Sequence, residues 1–157
     1  MNSETGLDEI VIPAERAVFW MDRFGHWCNQ GGRFRHKRVI DYFNASIRRD
    51  RHGYFVEQIR DRIREKVYFL YEDTPLFVIH VVLGVPIELW LNTGGRSPLQ
   101  PEQLFVRDDN LYLRRGEERV KFTDRALLKL ANELEYDETS NAYAINNNGV
   151  RYPIPEE

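Results

Sequence analysis

Glu72 and Asp73 are adjacent carboxylates at the end of an apolar run, and Thr74-Pro75 follows them. Two carboxylates at a strand end can divide acid and base duties or hold a hard cation. The same four residues are also sufficient for a turn, because Asp accepts backbone hydrogen bonds and Pro75 fixes φ. Adjacent residues on a strand point to opposite faces, so the two acids do not readily share one site. The turn carries the greater weight, and a hydrolase-type reaction around Glu72 and Asp73 is the third-ranked functional expectation.

A second chemistry is suggested by Arg60, Arg62, Arg64 and Lys66, which alternate with Ile59, Asp61, Ile63 and Glu65. Period two predicts a strand with one wholly basic face. Residues 33–66 hold eleven Lys and Arg against five acids, while the whole chain carries −3. A segregated field of this kind steers anionic partners, and Tyr54, Phe55 and Tyr68 nearby could stack on bases. No recognition helix, zinc finger or RNP-type motif accompanies the stripe. The plainer reading is a solvated face with strand edges guarded by arginine. Nucleic-acid or other polyanion binding is therefore the alternative function.

His26 and Cys28, two residues apart, would share a strand face and could begin a zinc site or pair as base and nucleophile. Cys28 is the sole cysteine, and His36, His52 and His80 show no ligand spacing. No metal and no cofactor is expected, and a lone thiol suits a reducing compartment. Thr93-Gly94-Gly95-Arg96-Ser97 could cradle a phosphate through its amides, but it lacks the lysine of a P-loop and reads as a hairpin loop. His80, inside an apolar strand, reads as a core or interface histidine.

These residues are positioned by short strands and two helices. Residues 1–17 form a polar lead-in without pattern, expected to be poorly ordered. A strand from Val18 turns at Asp22-Arg-Phe-Gly25, returns through Trp27 and turns again at Gly31-Gly32. Val39, Ile40, Phe43 and Ile47 predict a helix over 36–49, with Arg48 and Arg49 at the negative end of its dipole. Three apolar strands are expected over 67–71, 76–83 and 87–91, the middle one apolar on both faces and so the most buried. Residues 92–101 read as a surface loop. Strands over 105–122 turn at Asp108-Asp109-Asn110 and at Gly116. Thr123 then caps a second helix running to about Glu135. Asn148-Gly149 closes a final hairpin that Pro153 and Pro155 end.

The two helices stand 87 residues apart with one apolar pattern, Val39, Ile40, Phe43 and Ile47 against Ala126, Leu127, Leu130 and Leu134. Asp50 and Asp137 follow them at the same spacing. The order around each helix predicts an α+β chain of two small β-rich lobes, 18–75 and 76–157. Each lobe would be an antiparallel sheet with one helix (strand-strand-helix-strand-strand), consistent with an internal repeat.

The run Met21-Asp-Arg-Phe-Gly25-His-Trp27…Gly31…Phe34…Val39-Ile40…Phe43…Ile47-Arg48-Arg49-Asp50…Gly53-Tyr54 resembles the amino-terminal half of a bacterial family, domain of unknown function 1285. Glu65-Lys66-Val67 and Glu72-Asp73-Thr74-Pro75 match that family's corresponding runs in order and spacing. Leu76 stands where the family usually has Phe. The resemblance covers about residues 19–82 and implies an α+β protein of two β-rich lobes. It supplies no catalytic residues.

No positively charged start precedes an apolar run, and the stretch 76–85 is far shorter than the roughly 20 apolar residues that span a bilayer. The leading expectation is a small cytoplasmic binding or regulatory module, not an enzyme, with its groove between the lobes. Glu72, Asp73, Arg60, Arg62 and Arg64 are its candidate ligand contacts, and a small molecule or a protein its partner. Exposed strand edges leave room for a homodimer.

Overall fold

The structure is a computed structural model and describes residues 6–157. The chain divides into two compact units, Met1–Pro75 and Leu76–Glu157. It is mostly β, in several sheets, with two α-helices.

The first unit runs β1 (Asp8–Ile12), β2 (Trp20–Met21), β3 (Trp27–Asn29), β4 (Gly32–Arg33), α1 (Lys37–Ala45), β5 (Ile47–Asp50), β6 (Gly53–Arg60), β7 (Ile63–Tyr68) and β8 (Leu70–Tyr71). Two four-stranded sheets result, ordered β1-β7-β6-β5 and β4-β3-β2-β8. Neither is wholly antiparallel as expected, because β1 lies parallel to β7 and β2 parallel to β8. Residues 8–12, expected in the unpatterned lead-in, thus form a sheet strand. Residues 1–5 of that lead-in lie outside the described residues.

The expected β2–β3 hairpin is present, and Asp22 holds it. Its Oδ1 accepts from the backbone N–H of Phe24 and of His26, both at 2.9 Å. Gly25 takes φ 85°, which a side chain rarely adopts. Trp27 is buried among Phe19, Phe43 and Phe69, and its Nε1 donates to Asn44 Oδ1 at 2.8 Å. That bond satisfies an indole N–H which burial would otherwise strand.

The first helix ends at Ala45, four residues short of the expected Arg49. The Ser46 hydroxyl and N–H both donate to the Tyr42 carbonyl, and Arg48 Nη1 donates to the Ala45 carbonyl at 2.9 Å. Ile47, read as the last apolar position of the helix, is instead the first residue of β5. The basic strand expected over 59–66 is a hairpin. Asp61 and Arg62 take left-handed φ of 49° and 66°, and Arg60 pairs with Ile63. A period-two reading places Arg60 and Arg64 on one face, but the two-residue turn reverses the alternation, so that Arg60 aligns with Ile63 and Arg64 with Ile59.

The second unit runs β9 (Phe77–Val82), β10 (Glu88–Leu91), β11 (Arg96–Pro98), β12 (Leu104–Arg107), β13 (Asn110–Arg115), β14 (Glu118–Phe122), α2 (Asp124–Leu130), β15 (Leu134–Asp137), β16 (Ala142–Asn147) and β17 (Val150–Ile154). Six strands order as β11-β10-β9-β14-β13-β12, and the last three form their own sheet, β15-β16-β17. β14 lies parallel to β9. Thr123 caps α2 as expected, its Oγ1 accepting from Ala126 N at 3.2 Å. A 3-10 turn over Ala131–Glu133 ends the helix short of Glu135, so Leu134 belongs to β15.

Three further expectations change. β9 is central in its sheet, yet Ile79, His80 and Val82 are exposed. The His80 ring meets Trp90 edge-on with centroids 4.7 Å apart, so of the core or interface position expected for it the core one does not hold. The stretch 92–101 carries β11 and buries Leu99 and Pro101. β17 continues through Pro153, which an edge strand tolerates. No described helix is long and apolar enough to cross a membrane.

Candidate functional site

A sheet pair aligns facing residues on the same side, so the registers of β1, β5, β6 and β7 determine which side chains meet. Asp50 sits opposite Gly53, Phe55 opposite Tyr68, Glu57 opposite Lys66, and Lys66 opposite Val11. Asp50, Phe55, Glu57, Lys66, Tyr68, Glu9 and Val11 therefore share one face of the first unit's sheet. A cleft of about 840 Å³ opens on that face, lined by Glu9, Val11, Pro13, Ala14, Asp50, Lys66 and Tyr68, with Arg51 and His52 from the β5–β6 turn.

Its floor is a connected polar network. The Tyr68 hydroxyl donates to Asp50 Oδ2 at 2.7 Å, and Lys66 Nζ lies 3.5 Å from the same oxygen. Asp50 Oδ1 accepts from His52 N at 2.9 Å, which also closes the turn. Lys66 is shared with Glu9 at 3.9 Å and sits 4.9 Å over the Phe55 ring. Burial alone would raise the Asp50 carboxyl, but the bonds from Tyr68, His52 N–H and Lys66 outweigh it and hold Asp50 below the usual carboxylate range. Burial first, and then the Asp50 carboxylate, push the Tyr68 phenol up to about 12. Near neutrality Asp50 is thus a carboxylate and Tyr68 a phenol, and neither exchanges its proton readily.

The residues singled out from sequence fall elsewhere. Glu72 Oε1 accepts from Arg23 N at 2.8 Å, and Glu72 N donates to the Met21 carbonyl, so this acid braces the β2–β3 turn. Asp73 precedes buried Thr74 and Pro75. Arg60 and Arg64 point to opposite faces of the β6–β7 hairpin, and Arg62 occupies its turn. Arg64 Nε lies 3.4 Å from Glu57, which also faces Arg48 at 3.9 Å.

His26 and Cys28 both turn to Asp22. His26 Nδ1 is 3.3 Å from Asp22 Oδ2, and Cys28 Sγ is 4.0 Å from the same atom. Burial, then the Asp22 carboxylate, raise the Cys28 thiol, the reverse of what a nucleophile needs. Among the described residues no group of three His, Cys, Asp or Glu could hold a metal ion. The glycines at 94 and 95 close the β10–β11 hairpin, Leu91 N donating to the Gly95 carbonyl.

Sequence reasoning passed over Asp50 and Tyr68 as a pair. Asp50 read only as a helix stop and Tyr68 only as an aromatic near arginines. The available signal was that Asp50 and Lys66 both lie in the runs that carry the family resemblance.

No protein-family model and no curated protein matches this sequence. Two solved structures do match its fold. A domain of unknown function 1285 family protein from Silicibacter pomeroyi DSS-3 aligns over 94% of this chain and 84% of its own, with TM-score 0.60 and 12% identity. A second, from Shewanella baltica OS155, aligns over 76% of this chain and 94% of its own, with TM-score 0.53 and 18% identity. The chain has the fold of domain of unknown function 1285 family proteins, as the motifs between residues 19 and 82 imply.

Proposed function

We propose that this chain is a small non-enzymatic binding or regulatory module, and that its first unit holds a small organic anion in the cleft over Asp50, Lys66 and Tyr68. The observation that carries the reading is the contrast between floor and mouth. On the floor, the carboxylates are matched by Lys66 and Tyr68, and no proton is poised to move. At the mouth, Arg51 is exposed, its Nε donates to His52 Nε2 at 3.2 Å, and its guanidinium has no acid partner among the described residues. A guanidinium fork suits carboxylate and phosphate, while Val11, Pro13 and Ala14 offer an apolar wall to an aliphatic portion.

The test is a titration of the whole chain with butyrate and with inorganic phosphate, followed by backbone amide signals. Saturable shifts at Arg51, His52 and Tyr68, weakened in Arg51→Gln, are the expected result. If neither probe moves these signals, the cleft is not an anion site.

Polyanion binding through residues 33–66 is the weaker reading, because the basic residues there are dispersed and several of them face acids. Arg33 faces Asp22, Lys37 faces Asp41, and Arg48 and Arg64 share Glu57. A cytoplasmic location is supported by the single, unpaired Cys28. A homodimer is supported by the exposure of Ile10 and Val11 on β1, an edge strand. The internal-repeat reading draws on the turns at Asp61-Arg62 and Asn148-Gly149, which stand 87 residues apart and are both left-handed.

A further inference from the structure

The second unit contains a separate cavity, of about 140 Å³, between the β12–β13 turn, α2 and the β15-β16-β17 sheet. Its walls are Val106, Leu111, Leu127, Leu134 and Ile154, of which Val106, Leu111 and Ile154 are buried. Asp109 and Asn110 join the lining from the turn. An apolar cavity of roughly 150 Å³ accepts one benzene-sized guest and is otherwise poorly filled by water, which finds no polar partners on such walls.

The polar element is as informative as the apolar one. Asn110 spends its side-chain N–H on the Asp108 carbonyl at 2.9 Å, and Asp108 faces Arg107 at 4.0 Å. The Asp109 carboxylate has neither a hydrogen bond nor an ion pair among the described residues. The exposed Asp109 side chain beside an apolar hole suits a guest that carries an apolar ring and a cation on a short arm.

We infer that the second unit binds an aryl-alkyl ammonium ligand, with its ring in the cavity bounded by Leu111, Leu127 and Ile154 and its ammonium on Asp109. Tyr143, which also lines the cavity and packs on Tyr136 at 4.8 Å, adds an aromatic surface to the same ring. This site shares no residue with the cleft of the first unit, so either can fail without the other.

The test uses the whole chain and three probes: phenethylamine, phenylacetate (a ring with the opposite charge) and ethylamine (the charge without the ring). Phenethylamine alone should give saturable shifts at Leu111, Leu127 and Ile154. Asp109 takes a left-handed φ of 61°, which Asn tolerates, and Asp109→Asn should weaken that binding about tenfold, the factor carried by one charge-assisted bond. Leu127→Trp, which fills the cavity, should abolish it. Should that variant not fold, Asp109→Asn decides alone. Equal binding of phenylacetate, an unchanged affinity in Asp109→Asn, shifts confined to other residues, or no saturation with phenethylamine would each overturn the assignment.

Discussion

Tyr68 and Asp50 come from strands that do not touch, yet the phenol donates to the carboxylate at 2.7 Å across β6. Beside burial, the bond favours the neutral phenol and the ionised carboxylate, and so it contributes to the pH dependence of the first unit's stability.

The alkaline limit can be measured directly. The folded Tyr68 phenol loses its proton at about 12, roughly two units above a free tyrosine near 10. A folded pKa above the unfolded one means the native state keeps its proton longer. The contribution to stability is therefore complete below about 10 and is lost as the pH rises through about 12. Phenolate absorbance should show one of the eight tyrosines titrating last, and Tyr68→Phe should remove that step. The substitution should cost about 1 kcal/mol in denaturant unfolding at neutral pH. A late-titrating phenol that persists in Tyr68→Phe would place it on another tyrosine.

At the acid end the sign reverses. Asp50 is held below the usual carboxylate range, so its contribution is complete above the unfolded carboxyl pKa and disappears as the pH falls through the folded value. Asp50→Asn should flatten that part of the acid limb of stability against pH. It should cost about 1–3 kcal/mol at neutrality, because Lys66 and Tyr68 lose their shared acceptor. An acid limb identical to the parent would remove Asp50 from this role.

How much of this was legible follows from the range of each signal. The turns at Asp22-Gly25 and Asn148-Gly149, and the cap at Thr123, are decided within four residues, and the sequence reads them correctly. The hairpin at Asp61-Arg62 is decided by pairing instead. Arg62 takes a left-handed φ that its own chemistry disfavours, because β6 and β7 pair on either side of it. The pairing Asp50–Tyr68 was illegible for a further reason. It depends on two registers at once, Asp50 opposite Gly53 and Phe55 opposite Tyr68, and a slip of one residue in either sends a partner to the other face.

That same register governs the basic segment. Arg60 and Arg64 face opposite ways, and Arg64 lies beside Glu57, so these arginines do not form one cationic face of the β6–β7 hairpin. Replacing Arg60, Arg62 and Arg64 together with Gln should leave retention on a nucleic-acid column at low salt unchanged. Loss of retention in the triple variant would restore the polyanion reading.

Trp27 supplies the last test, of the packing that supports the β2–β3 hairpin. Its ring is 1% exposed and meets Phe43 at 5.3 Å and Phe69 at 4.9 Å, while its N–H reaches Asn44. Trp27→Ala should cost about 3–5 kcal/mol, as deletion of a large buried ring does. Asn44→Ala should cost about 1–3 kcal/mol, since it strands a buried donor. Trp27→Phe removes donor and demand together, so adding Asn44→Ala to it should cost little more. Trp27 and Asn44 would then couple in a double-mutant cycle. Additive losses would mean that the indole N–H finds another partner, and that packing alone holds Trp27 in place.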